Sequence, residues 1–112
     1  MSGLGLNRRL VLEEASRVAD GAGGFAESWT PIGVVWAALK PGTGRERIGG
    51  NLTLSAVPYR ITVRAAPFGA PSRPRPDQRF REGARLFRIL AVADHDPDRA
   101  YLTCHCTEEV TG

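Results

Sequence analysis

Apolar and polar residues alternate one by one along much of this chain, and the clearest run is Tyr59-Arg60-Ile61-Thr62-Val63-Arg64. Successive side chains of a strand point to opposite faces. Ile61 and Val63 therefore share one side, and Arg60, Thr62 and Arg64 the other. The best strand of the chain is predicted over residues 58–66. The same rule puts Leu10 and Leu12 on one face of a first strand over residues 9–18, although Glu13-Glu14 also permits a helix. Asp20-Gly21-Ala22-Gly23-Gly24 follows, and its residues tolerate positive φ, as a hairpin turn requires. A second strand over residues 25–39 is expected to bend or bulge near Pro31-Ile32-Gly33, with Trp29 and Trp36 as its large anchors. Residues 85–93 and 101–107 pair as a hairpin across the polar turn from Asp94 to Arg99.

Two connections resist regular structure. Residues 40–57 hold Pro41-Gly42-Thr43-Gly44 and Gly49-Gly50, and connections of that length are usually functional or mobile. Residues 67–81 are proline-rich and read as a second exposed loop. The first seven residues are Gly-rich, a loose arm. Together these elements predict one all-β domain over residues 1–112, a small antiparallel β-barrel or sandwich of about five to seven strands with one long irregular loop.

Composition sharpens the picture in one respect. The net charge is only +3, but it is unevenly laid out. Eight Arg between Arg60 and Arg88 face only Asp77 and Glu82, a local balance of +6. Five acids between Asp94 and Glu109 face only Arg99, a balance of −4. Two unlike sides of this kind suit head-to-tail contact between copies. Arg73, Arg75, Arg79, Arg81 and Arg85, with Asp94, Asp96, Asp98, Glu108 and Glu109, are the candidate subunit or partner interface, with solvated surface loops as the equal alternative. Phosphates are a second possible partner for the Arg cluster. Aromatic interleaving is thin there, and the guanidinium fork suits carboxylates, so protein partners are favoured.

Catalytic and metal chemistry find little support. Cys104-His105-Cys106 with His95 invites a zinc reading, yet on a strand His105 points away from both cysteines, and no second Cys pair exists. Buried cysteines acting as small apolar residues are the simpler reading, and a reduced, intracellular chain follows. Gly42-Thr43-Gly44-Arg45 lacks the ending and the strand–helix setting of a phosphate loop. Asp94, Asp96 and Asp98 lack the later Gly and Glu of a calcium loop. No Ser, Cys or His stands in a nucleophile arrangement, so no enzyme and no cofactor is expected. No apolar run approaches a membrane span, and none resembles a secretion signal.

The order Trp29, Trp36-Ala37, Gly44-Arg45-Glu46, Tyr59-Arg60-Ile61-Thr62-Val63-Arg64, Arg85-Leu86-Phe87-Arg88-Ile89 and Leu102…Glu108-Glu109 resembles phage head–tail joining proteins, also called head-completion or stopper proteins. The likeness runs from about Arg8 to Glu109 and is nearest to the version carried by gene transfer agents of alphaproteobacteria. It implies a small β-barrel that forms a ring, a hexamer by family habit, with the portal or adaptor ring above and the tail terminator below. It also implies a long loop that helps to close the channel on packaged double-stranded DNA. Carried over, that gating loop contains Gly44, Arg45, Glu46, Arg47, Gly49 and Gly50. Such a protein would be cytoplasmic during assembly and then part of the particle neck. A tail-terminator or adaptor protein of the same junction, and a small Arg-rich nucleic-acid-binding barrel, are the alternatives.

Overall fold

The structure is a computed structural model, and it describes residues 5–42, 56–95, 98 and 100–109. Alternation does become strand. β1 (Arg8–Ala19), β2 (Phe25–Pro41), β3 (Ala56–Arg64), β4 (Arg79–Glu82), β5 (Arg85–Asp94) and β6 (Tyr101–Glu109) pair antiparallel throughout. The order β1-β2-β3-β6-β5-β4 returns to β1, so one sheet closes on itself as a barrel. Closure removes sheet edges wherever each strand has two neighbours.

The barrel is closed between β1 and β4 by three register pairs, Val11 with Arg81, Leu12 with Phe80 and Glu13 with Arg79. The middle pair faces inward. Leu10, Leu12, Ala37, Ile61, Val63, Phe80, Phe87, Ile89, Leu102, Cys104 and Cys106 form the buried interior. Each large apolar side chain among them contributes about 1.5–3 kcal/mol by leaving water. Cys104 and Cys106 are free thiols on that inner face, as alternation requires. Burial pushes the Cys104 thiol up to about 12 and raises that of Cys106 as well.

Local chemistry sets the turns and the two irregularities. Asp20 closes the β1–β2 turn by accepting hydrogen bonds from the amides of Ala22 at 2.8 Å and Gly24 at 3.0 Å, with Gly21 and Gly23 at φ +81° and +87°. The β4–β5 turn needs Gly83 at φ +60°. β2 is not broken at Pro31. Leu12 pairs with Gly33 and Glu13 with Pro31, which leaves Ile32 as the extra residue of a bulge. β5 carries a second bulge at Leu90, between Ile89 and Ala91.

Two expectations need correction. Trp36 is no anchor: Ala37 faces inward, so Trp36 faces out and is 52% exposed. Trp29 also lies on the outside, beneath two guanidinium groups. Residues 67–81 are not simply an exposed loop. Pro74 and Gln78 are buried, and Asp77 N and Gln78 O hydrogen-bond the carbonyl and amide of Ile89 at 2.9 Å each. β4 follows at once. Prolines disfavour a long strand there, yet a short segment docks because β5 offers it free backbone groups beyond Arg88.

Candidate functional site

Five of the six strands continue their inward row by one polar position at the end where β2 leaves and β3 returns, while β2 adds Leu39 there. Beyond Leu10, Phe80, Phe87, Cys106 and Ile61 those positions are Arg8, Glu82, Arg85, Glu108 and Tyr59. They meet as a polar plug. Arg8 Nε donates to Glu82 at 2.6 Å, and Arg85 donates to Glu108 at 2.8 and 3.2 Å and to the Tyr59 hydroxyl at 3.1 Å. Arg85 also lies over the rings of Phe87 and Tyr59, which meet edge to face at 5.2 Å. Hydrogen bonding to Glu82 raises the pKa of Arg8 and hydrogen bonding to Glu108 raises that of Arg85, while Arg8 holds the Glu82 carboxyl below its ordinary range. Beside the plug, Gly42 N donates to Pro58 O at 2.8 Å. The connection between β2 and β3 is thus held closed at its base.

A second cluster covers the outside of β1, β4 and β5. Glu13 is 4% exposed and accepts from Arg79 at 2.7 Å and Arg81 at 2.8 Å. Burial opposes its charge, but the hydrogen bonds from Arg81 and Arg79 prevail and leave its carboxyl below the ordinary range. Arg79 and Arg88 stack over Trp29 at 4.1 and 5.7 Å. Arg75 pairs with Glu14 at 2.9 Å.

These two clusters use most of the interface residues expected from sequence. Arg85 and Glu108 meet in the plug, Arg79 and Arg81 meet Glu13, and Glu109 lies 4.0 Å from Arg88. The basic segment and the acidic strand β6 therefore lie side by side in one wall and offset each other there. Arg73 stacks on Phe68 at 3.9 Å and donates to the Ala66 carbonyl at 2.8 Å. Asp94 and Asp98 are exposed at the β5–β6 end. Asp96 lies outside the described residues, as do Gly44, Arg45, Glu46, Arg47, Gly49 and Gly50 of the expected gating loop. Arg8, Glu13, Tyr59 and Glu82 were not among the site residues expected from sequence. The signal was present, because each plug residue lies two positions from a core residue of its own strand.

No cluster of His, Cys, Asp and Glu suited to a metal occurs among the described residues. His105 is exposed on the outer face, while His95 Nδ1 lies 2.9 Å from the Thr103 hydroxyl. No helix among the described residues is long and apolar enough to cross a membrane. What the geometry offers is a closed barrel whose strands are tied by ion pairs at one end.

Comparison with known proteins agrees. A chain from a structure of the virion of a native gene transfer agent particle is 60% identical, with 95% of this chain and 96% of that one covered and a TM-score of 0.78. A Shigella flexneri 2a protein solved in solution shares the fold at 23% identity and a TM-score of 0.61, with 92% of each chain covered. Among curated proteins none matches the chain. The family model for phage head completion proteins matches residues 1–109. The chain belongs to the phage head completion protein family.

Proposed function

We propose that this protein is the stopper of a gene-transfer-agent or tailed-phage-like particle, completing the head at its junction with the tail. Copies form a ring between the portal or adaptor and the tail terminator and keep packaged double-stranded DNA from leaving through the channel. The role is structural: the barrel bears contacts and carries no reaction. The family match over nearly the whole chain is the observation that carries this reading, and the 60% identity to a gene transfer agent virion chain supports it. The braced mouth of the barrel is consistent with it. A segment that meets pressurised DNA needs fixed ends, and Arg8, Glu82, Arg85 and Glu108 tie together four strands around the point where residues 42 and 58 come together.

Electron microscopy of particles from a producer strain lacking this chain tests the proposal. Filled heads without tails, or heads that have lost their DNA, are expected. Normal tailed particles would overturn it. Neighbours and copy number in the wild-type particle separate a stopper from a terminator or adaptor.

A further inference from the structure

Arg75, Arg79, Arg81, Arg85 and Arg88 each have a carboxylate partner within the chain. Four other cations stand together on a different wall. Arg9, Lys40, Arg60 and Arg64 are exposed and make no ion pair with another described residue. They project outward because their strand neighbours Leu10, Leu39, Ile61 and Val63 pack into the interior.

The register sets them in two rows across the sheet. Arg9 lies opposite Trp36, and Arg64 opposite Tyr101. The pairing of Ala37 with Val63 brings Trp36 next to Arg64 on the outside, so the first row alternates cation and ring. In the second row Lys40 lies opposite Arg60. Trp36 and Lys40 are four positions apart on β2, as are Arg60 and Arg64 on β3, which separates the rows by about 13 Å. Between them Ala38 lies opposite Thr62, and Thr62 opposite Thr103. These side chains are short and Thr62 is only 8% exposed, so a shallow floor runs between two cationic rims. Residues 33–41, 57–64 and 101–107 contain no Asp or Glu. A surface of one sign without counter-charge draws an anion to itself.

We propose that this β1–β2–β3–β6 wall binds the phosphate backbone of duplex DNA. The backbone lies along the trough, with Arg9 and Arg64 on one rim and Lys40 and Arg60 on the other. Trp36, 52% exposed between Arg9 and Arg64, offers the sugars an apolar face. The centre of a protein contact is apolar and depleted in charge, whereas here the exposed ring stands at a rim and the floor is small and polar. A platform for unpaired bases needs several exposed rings, and Tyr101 is half-buried. The inference rests on the stopper reading for the whereabouts of the DNA, and it turns this wall toward the channel.

Titration of the isotope-labelled full chain with a short DNA duplex at low salt, followed by amide NMR shifts, tests it. Shifts are expected along residues 36–40, 60–64 and 101–103 and at the Trp36 indole, and not at Arg75 or Arg79. Anisotropy of a fluorescent duplex gives the affinity. Four phosphate contacts predict a slope of log affinity against log salt of about −3.6. Arg60→Gln with Arg64→Gln should reduce it to about −1.8, and Lys40→Gln alone to about −2.7, while Arg75→Gln leaves it unchanged. The amide spectrum shows that each variant is folded. No shifts at low salt, or shifts centred on another face, would overturn the proposal. Equal shifts at the same residues from polyglutamate of matched charge would also overturn it and make an acidic protein the occupant. These outcomes concern the free chain. The stopper reading fails separately, if particles assemble normally without it.

Discussion

Glu13→Gln probes the closure of the barrel with almost no change of shape. Glu13 is nearly inaccessible and holds two guanidinium groups of β4 against β1. A hydrogen bond between charged groups contributes about 1.5–3 kcal/mol when sheltered from water. The Arg79 side chain is 16% exposed, so its bond is of that strength; that of Arg81 is 39% exposed, and solvent screening reduces its bond to below about 1 kcal/mol. Glutamine retains one neutral acceptor, which restores about 1 kcal/mol. The expected loss is about 2 kcal/mol, or about 8 °C in melting temperature for a domain of this size. Urea unfolding followed by circular dichroism measures it. The pH dependence supplies an independent check. The folded carboxyl lies below its ordinary range, so its stabilisation is full above the unfolded value and fades as pH falls through the folded one. In acid the wild-type side chain is neutral and shaped like glutamine. The gap between the two proteins should therefore close. Equal stability at neutral pH, or a gap that persists in acid, would refute the reasoning.

Two further outcomes follow from the fold. Gly83→Ala should lower stability by about 1 kcal/mol, read as a shifted urea midpoint with unchanged slope, because the turn needs φ +60° and a Cβ there meets nothing within 4 Å. A more stable variant would contradict that turn. Cys104 and Cys106 should resist a thiol-specific disulfide reagent at mildly alkaline pH in the native protein and react together on unfolding, since both are buried and burial raises their pKa values. Rapid labelling of either in the native protein would mean that β6 leaves the barrel.

Much of this architecture was legible in the alternation. Ile61 and Val63 do face inward with Arg60 and Arg64 outward, and the turn at Asp20–Gly24 and the bulge at Ile32 fall where glycine and proline chemistry puts them. The role of Trp36 was misjudged because size was weighed above parity: an inward Ala37 forces its neighbour outward. The docked segment around Pro74 and Gln78 was hidden for another reason. Its backbone partners come from Ile89, and no local pattern reports a long-range partner. The same limit applied to the candidate interface. Arg85 and Glu108 look like free surface charges in a list, and become a pair only once β5 and β6 are in register.

The closure between β1 and β4 also bears on how the molecule forms. β1 with β2, β4 with β5, and β5 with β6 are hairpins of neighbouring strands, quick to form. Glu13 and Arg79 are 66 residues apart, and joining ends at that separation costs about 4 kcal/mol of chain entropy before any contact compensates. Only three register pairs then lock it. With β3–β6 pairing also joining distant segments, the barrel is built largely from long-range contacts, the topology for which slow folding is expected.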